Sequence, residues 1–172
     1  MKVRCFISIN LPGNIKNEIV KVQNLLPEFT GKKTETENLH LTLKFLGHIE
    51  EEKLEELKKR LRKIRSEKFQ IVANKIGFFN PRIVWFHLAN CEALQKEIDD
   101  ALDGLFEKEK RFMSHLTIAR VKGIKDKKRF LDGLSKIKIK NIWFDVDNFC
   151  LMKSQLRRNG PLYSVIEEFP LL

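Results

Sequence analysis

The chain has 172 residues, of which 42% are hydrophobic and 33% are charged. This composition is typical of a soluble globular domain, and no apolar run approaches the roughly 20 residues that cross a bilayer, so a membrane-spanning class is excluded. The formal net charge of +10 favours a polyanionic partner, with nucleic acid the first candidate.

Three strands are expected in the first half of the chain. Residues 3–9 alternate and are rich in β-forming residues, and residues 39–46 and 69–79 are also typical of strands. Pro12 opens a helix between the first two strands, because proline is favoured at the first helical position. The core-facing residues of this helix recur at helical spacing: Ile15, Ile19, Val22 and Leu26.

A second helix is expected within the charged segment 50–65. Its acidic residues precede its basic residues, as the helix dipole favours, and Glu55 and Lys59 are spaced for an i,i+4 ion pair. We therefore assign these charges to a solvated helix face rather than to an RNA-binding surface. The narrow apolar stripe of this helix consists of Leu54, Leu57, Leu61 and Ile64.

The same order of elements begins again after a turn predicted at residues 80–82. Asn90 is expected to cap a helix, and a shorter helix is expected at residues 125–134. The core face of the first of these helices is Leu94, Ile98, Ala101, Leu102 and Leu105. Strand-forming sequence occupies residues 83–89, 114–121, 139–153 and, after a further turn, 160–169.

Each half of the chain therefore has a strand, a helix, a histidine-bearing strand, a helix and a strand, within residues 3–79 and 83–153. The string His-Leu-Thr stands in the same strand of both halves, and no long linker separates them. We expect an internal duplication folded into one two-lobed domain, residues 1–172. Its class is α+β, with antiparallel sheets lining a central cleft and helices on the outside.

The two His-Leu-Thr strings predict a shared site. Side chains alternate along a strand, so His40 and Thr42 share one face while the neighbouring leucines face the core. His115 and Thr117 share a face in the second half, and an approximate two-fold axis would bring both pairs to one cleft. A neutral imidazole can accept a proton and a charged one can donate it, while the hydroxyls can donate hydrogen bonds to phosphate oxygens. This set suits a strained phosphodiester such as a 2′,3′-cyclic phosphate, but the residues alone do not say which histidine donates.

Neither a metal nor another cofactor is expected. His-x-Thr is not a metal-ligand pair, and the acidic residues show no ligand spacing. Cys5, Cys91 and Cys150 are far apart in the sequence and are expected to be small buried hydrophobic residues. A reducing, cytoplasmic location fits this cysteine usage, and the N-terminus is interpreted as a first strand rather than a signal peptide.

These residues resemble the two-histidine phosphoesterases, which carry paired H-x-T-x motifs. The resemblance is closest to the RNA 2′,3′-cyclic phosphodiesterases, also called 2′-5′ RNA ligases. It covers nearly the whole chain, and the two motifs with their flanks are its most specific part. The matching stretches are RCFISINLP (4–12), ENLHLTLKFLG (37–47), FFNPRIVWFHL (78–88), FMSHLTIARVK (112–122) and LMKSQLRRNGPLYSVI (151–166).

The resemblance implies an enzyme that opens a terminal 2′,3′-cyclic phosphate on RNA and leaves a 2′-phosphomonoester. It implies His40 as the proton donor and His115 as the proton acceptor, and it implies no nucleotide cofactor. The same site could join an RNA 5′-hydroxyl to a cyclic phosphate through a 2′-5′ bond. The expected partner is RNA with such ends, including tRNA-derived ends in tRNA processing. We expect a monomer with no membrane partner.

Two further residues are weaker candidates for substrate binding. Lys44 is four residues from His40 and so on the same face of a regular strand, where it could hold the phosphate or the RNA backbone, or extend into solvent. Arg120 is five residues from His115 and would reach the cleft only through a bulge or at the end of the strand. His48 and His87 are expected to be bystanders. Candidates for base stacking, each more typical of a core residue, are Phe6, Phe45, Phe112 and Tyr163.

Two rival hypotheses belong to other functional classes. The chain could be an RNA-binding module that docks cyclic-phosphate ends without turnover, although binding alone does not require both imidazoles. It could also be a phosphodiesterase for small cyclic nucleotides, although the net charge of +10 favours RNA.

Overall fold

The computed structural model describes residues 2–79 and 82–172. The α-helices are α1 (Gly13–Gln23), α2 (Glu51–Leu61), α3 (Glu92–Ala101) and α4 (Lys127–Lys136). A short 3-10 helix spans Thr36–Asn38. The strands are β1 (Lys2–Asn10), β2 (Thr30–Lys33), β3 (His40–Glu50), β4 (Phe69–Phe79), β5 (Ile83–Ala89), β6 (His115–Gly123), β7 (Ile142–Val146), β8 (Asn148–Arg157) and β9 (Gly160–Pro170).

The predicted class is confirmed: the chain is α+β, with two antiparallel sheets. One sheet has the strand order β3-β1-β8-β9 and the other has the order β2-β6-β5-β4-β7. The strand that ends the first half of the chain, β4, pairs with β5, and β8 from the second half pairs with β1. The two histidine-bearing strands, β3 and β6, belong to different sheets and approach within 8 Å between Cα atoms. Each sheet therefore contains strands from both halves, and β3 and β6 meet between the sheets.

Three details differ from the sequence prediction. Asn90 does not cap α3: Cys91 is the N-cap residue, and Asn90 has a φ of 78° with its amide donating to the Gln70 carbonyl. The segment 139–153 is not one strand, because β7 pairs with β4 while β8 pairs with β1 in the other sheet. Strand β2 was not expected, since its polar residues are all exposed at a sheet edge. Two residues of the turn predicted at 80–82 lie outside the described residues.

A continuous apolar core fills the space between the sheets and the helices. The apolar stripes of α1 and α2 supply buried residues to it, among them Ile19, Leu57 and Leu61. The three cysteines are free and buried, as expected, and burial raises the pKa of each thiol to about 11. Within the described ranges, no helix is long and apolar enough to cross a membrane.

A buried ion pair crosses this core, and it corrects the prediction for Lys44. Lys44 is only 3% exposed, and its ammonium binds Asp99 Oδ1 of α3 at 2.5 Å and the Glu107 carbonyl at 2.6 Å. A β-bulge is the reason: Thr42 pairs with Ser8 and Lys44 pairs with Ile7, so that one extra residue turns Lys44 away from the face of His40. Lys44 is therefore not placed to hold a substrate phosphate.

The other carboxylate oxygen of Asp99 is also satisfied. It accepts hydrogen bonds from Gln95 Nε2 at 2.8 Å and from the Glu109 amide at 2.9 Å. Burial opposes the charge of Asp99, but the hydrogen bonds that the carboxylate accepts, first of them from Lys44, hold its pKa below the ordinary value. The network joins β3, α3 and the segment that leads to β6.

Replacing Asp99 with asparagine is expected to lower the free energy of unfolding by about 3–5 kcal/mol, because the buried charge of Lys44 loses its partner. The stabilisation is present above the ordinary aspartate pKa of about 3.9 and is lost as pH falls through the lower, folded-state pKa. Denaturant titrations at several pH values measure it. The matched control is Asp100→Asn, which removes an exposed carboxylate from the same helix and is expected to change stability little. Equal midpoints for the two variants would contradict a stabilising role for the buried pair.

Candidate active site

Bulges in β3 and β6 determine which side chains face the cleft. In β6, Thr117 pairs with Trp85 and Ala119 pairs with Val84, so Ile118 is the extra residue. In a regular strand, Arg120 would lie on the face opposite His115; after the bulge it is exposed, while Ala119 and Val121 are buried. The bulge that Arg120 needs in order to share the face of His115 is therefore present.

The β3 bulge has the same consequence in the first half. Phe45, five residues after His40, shares the face of His40 and Thr42 and is 67% exposed. Each histidine strand thus presents a histidine, a threonine and a third side chain to the cleft. The third residue is Phe45 in β3 and Arg120 in β6.

Each imidazole is fixed by the same backbone contact. His40 Nδ1 lies 2.7 Å from the Asn38 carbonyl, and His115 Nδ1 lies 2.8 Å from the Met113 carbonyl. A carbonyl oxygen only accepts, so in each ring Nδ1 carries the hydrogen and donates it. The Nε2 atom of each ring is therefore the one available for proton transfer.

The two threonines differ in their contacts. Thr42 Oγ1 lies 3.0 Å from His40 Nε2, and the hydroxyl donates to that nitrogen when the ring is neutral. Thr117 is half-buried in β6, and its carbonyl accepts a hydrogen bond from Thr34 Oγ1 at 2.9 Å. The motif residues of both halves thus stand on the strands that meet between the sheets.

Aromatic rings surround the two histidines. The His40 ring centroid lies 4.9 Å from that of Phe6 and 5.1 Å from that of Tyr163. The His115 ring lies 5.4 Å from Phe79, which stacks on Trp85 with centroids 4.9 Å apart. Phe6 is buried beneath His40, so it is not free to stack on a base. Tyr163 is half-buried, and burial raises the pKa of its hydroxyl.

The pKa of His40 is lowered from the ordinary histidine value. Burial is the largest cause, because it disfavours the charged ring. The hydrogen bond to the Asn38 carbonyl acts in the opposite direction, and the positive charges of Lys16 and Arg120 lower the pKa further. In the free protein at neutral pH, His40 is therefore predominantly neutral.

A cavity of about 370 Å³ adjoins His115 and the first-motif threonine. Thr42 and His115 line it from β3 and β6, and Phe45 forms part of its wall. The other residues around it are Leu43, Lys44, Phe79, Glu109, Arg111, Phe112 and Met113. A larger cavity of about 550 Å³ lies between residues 27–30 and α4. It contains neither histidine motif, so the smaller cavity is the one that matches the chemistry.

Several contacts of the site were not predicted from the sequence. Asn38 and Met113 contact the histidines through their backbone carbonyls. Every residue type has such a carbonyl, so the sequence does not reveal the contact. The only clue is that each carbonyl belongs to the residue two positions before a histidine. His87, expected to be a bystander, pairs directly with His115 across β5 and β6. In the part of the chain that the structure describes, no group of three or more His, Cys, Asp or Glu side chains is arranged to hold a metal.

The histidine titration is expected to reflect these environments. By NMR, His40 should titrate with a midpoint below the ordinary value of about 6.5, because burial and two cations favour its neutral form. Adding inorganic phosphate should raise the midpoint, since a bound anion favours the imidazolium. The His40→Gln variant assigns the resonance. A midpoint at or above the ordinary value in the free protein would contradict the described environment of His40.

Two segments of the chain, residues 9–85 and 88–163, match the family described as LigT like phosphoesterase. A Methanocaldococcus jannaschii protein named RNA 2′,3′-cyclic phosphodiesterase is 39% identical over 175 residues, covering 97% of this chain and 100% of that protein. A Methanothermobacter thermautotrophicus protein of the same name is 32% identical, covering 99% of this chain and 100% of that protein.

Crystal structures share the fold. E. coli LigT complexed with 3′-AMP is similar with a TM-score of 0.79 at 24% identity, with 99% of each chain covered. A Thermus thermophilus protein has a TM-score of 0.81 at 24% identity, with 97% of each chain covered. The sequence matches extend over both histidine motifs and most of the chain. The chain therefore belongs to the LigT like phosphoesterase family.

Proposed function

We propose that this protein hydrolyses RNA 2′,3′-cyclic phosphate ends to 2′-phosphomonoesters by metal-independent acid–base catalysis. The observation that carries the proposal is the matched pair of imidazoles on β3 and β6. In each, Nδ1 is held by a backbone carbonyl and Nε2 is left for proton transfer. The relatives named RNA 2′,3′-cyclic phosphodiesterase support the same substrate class.

The reaction needs one proton removed and one supplied. His115 Nε2 takes a proton from a water molecule as its oxygen forms the new bond to phosphorus. His40 Nε2–H gives a proton to O3′ as the phosphorus–O3′ bond breaks. The phosphate remains on O2′, and the 3′-hydroxyl is free. This division of roles is the one that the family resemblance implies.

The environment of His40 fits the donor role. An imidazolium with a lowered pKa is a stronger acid than an ordinary one, so it releases its proton to O3′ more readily. Burial first, and then the charges of Lys16 and Arg120, favour the neutral form of His40 in the free protein, and the negative charge of a bound phosphate opposes the repulsion from those two cations. Substrate binding therefore favours the protonated form of His40, which donates its proton in the reaction.

The remaining site residues stabilise the phosphate. The hydroxyls of Thr42 and Thr117 donate hydrogen bonds to non-bridging oxygens, and the Arg120 guanidinium adds a positive charge on the same face. Where an RNA 5′-hydroxyl replaces the water, the same proton transfers join the two RNA ends by a 2′-5′ bond. No energy source drives that ligation, so it is reversible and limited by equilibrium.

We also propose the class of substrate, the cellular location and the oligomeric state of the enzyme. The net charge of +10 supports RNA, including tRNA-derived ends, over small cyclic nucleotides. Free, buried thiols suit a reducing cytoplasm, and we propose a monomer. We further infer that 1–172 is a single two-lobed domain formed by duplication, which the two family matches in residues 9–85 and 88–163 support.

Replacing either motif histidine with alanine is expected to lower kcat by about 10²–10⁴-fold, the usual contribution of a general acid or base. The assay uses a short oligonucleotide ending in a 2′,3′-cyclic phosphate, and kcat/KM should show a bell-shaped pH profile. His48→Ala is the matched control, because His48 lies at the far end of β3 opposite Arg4. Turnover should survive chelator. Loss of activity with chelator, or activity retained in the double variant His40→Ala and His115→Ala, would exclude the mechanism.

Phe45 is the exposed aromatic residue best placed to stack on a nucleobase, since it lines the cavity beside Thr42 and His115. Phe45→Ala is expected to raise KM for the oligonucleotide by about 5–150-fold, corresponding to stacking worth about 1–3 kcal/mol per base. Phe45→Tyr keeps the ring and should retain most of the affinity. Measuring KM for a cyclic mononucleotide beside the oligonucleotide also tests the small-nucleotide alternative. An unchanged KM in Phe45→Ala would remove Phe45 from the substrate site.

A further inference from the structure

The position of Arg120 depends on the β6 bulge and not on the local strand pattern. Regular alternation from His115 would send a residue five positions later to the core. The extra residue Ile118 reverses this and leaves Arg120 exposed on the cleft face. Whatever stabilises the bulge therefore controls where the guanidinium lies.

The carbonyls at the bulge are satisfied by two residues from outside the strand pair β5–β6. The Thr117 carbonyl accepts from Thr34 Oγ1 at 2.9 Å. The Ile118 carbonyl accepts from the Thr34 amide at 2.9 Å and from Gln23 Nε2 at 2.8 Å. Both carbonyls thus gain partners although the bulge interrupts the ladder of hydrogen bonds.

Gln23 lies at the end of α1 that faces the bulge. It is the last residue of the helix and is only 3% exposed. Its Nε2 also donates to the Thr34 carbonyl at 2.9 Å, so both amide hydrogens are used on backbone carbonyls. A buried glutamine is costly to retain unless its polar atoms are paired, and this one is paired at the bulge.

The β3 bulge is held from the equivalent helix of the second half. There, α3 supplies Asp99 to bind Lys44, the residue that the bulge turns inward. The first helix of each half thus reaches the histidine strand of the other half, once through an amide and once through a carboxylate. The recurrence indicates that the contact belongs to the architecture of the site and not to chance packing.

We propose that Gln23, assisted by Thr34, is a positioning residue that holds the β6 bulge and thereby keeps the Arg120 guanidinium beside the bound phosphate. Gln23 does not touch the substrate. Its effect reaches the reaction through the backbone at residues 117–118 and the direction of the Arg120 side chain. The kinetic part of this proposal rests on the proposed phosphodiesterase function, while the positioning itself does not.

The pKa of His40 depends on the position of Arg120 and can be measured without a catalytic assay. The charged groups that lower its pKa are Lys16 from α1 and Arg120 from β6, and Tyr163 from β9 packs on the ring as a neutral group. If the bulge relaxes and Arg120 leaves the cleft face, the pKa of His40 rises. A loss of general stability alone does not move this titration.

The experiment compares Gln23→Met, which keeps the length of the side chain but removes both donors, with Arg120→Gln. Both variants are expected to raise the His40 midpoint measured by NMR, and the double variant should raise it no further than Arg120→Gln alone. In a Lys16→Gln background, Gln23→Met should still raise it. On the cyclic-phosphate oligonucleotide, both single variants should lower kcat/KM by about tenfold, without additivity.

An unchanged His40 midpoint in Gln23→Met would overturn the proposal. So would a rise that is as large when Gln23→Met is added to Arg120→Gln as when it is made in the wild-type protein. Should Gln23→Met not fold, Thr34→Val removes only the hydroxyl contact and is expected to shift the midpoint in the same direction by less; no shift there would also overturn it. A wild-type protein with no turnover but with the predicted titrations would reject the phosphodiesterase function and leave the positioning role intact.

Discussion

The backbone carbonyl two residues before each histidine determines what the imidazole can do. By accepting a hydrogen bond from Nδ1, the carbonyls of Asn38 and Met113 select one neutral tautomer in both halves. In the proposed mechanism, Nε2 is then the proton-transfer atom on both strands. Under that proposal, a substrate phosphate between β3 and β6 meets the same ring nitrogen from each histidine, and the surroundings of each ring decide which acts as acid and which as base.

The exchange of strands between the halves makes these surroundings depend on the whole chain. Because β4 pairs with β5 and β8 pairs with β1, each sheet combines strands from both halves. The helices also make contacts between the halves: Gln23 of α1 donates to the backbone of β6, and Asp99 of α3 binds a lysine of β3. The separation and orientation of the two motifs are thereby set by core packing, which is less deformable than loops.

Alternation along the strands was enough to predict which motif residues share a face. His40 with Thr42 and His115 with Thr117 could be paired correctly because no bulge intervenes between them. The prediction for Lys44 was wrong because a bulge turns its side chain inward, where it binds a buried carboxylate 55 residues away in sequence. Such a contact leaves no periodic signal. Likewise β2 has no apolar pattern, since it forms by pairing with β6 at an exposed edge.

The two half-sites differ most at the residue five positions after each histidine, Phe45 in one and Arg120 in the other. The charge of Arg120 acts across the cleft on His40, whose own strand offers an uncharged ring at the matching position. His40 also has Phe6 and Tyr163 against its ring, so burial and a cation from the opposite strand lower its pKa together. The third cleft-facing residue of each strand therefore adds to the difference in surroundings: burial is the largest cause of the lowered pKa of His40, and the charge of Arg120 lowers it further. In the proposed mechanism, a lowered pKa suits the histidine that donates its proton to the leaving O3′.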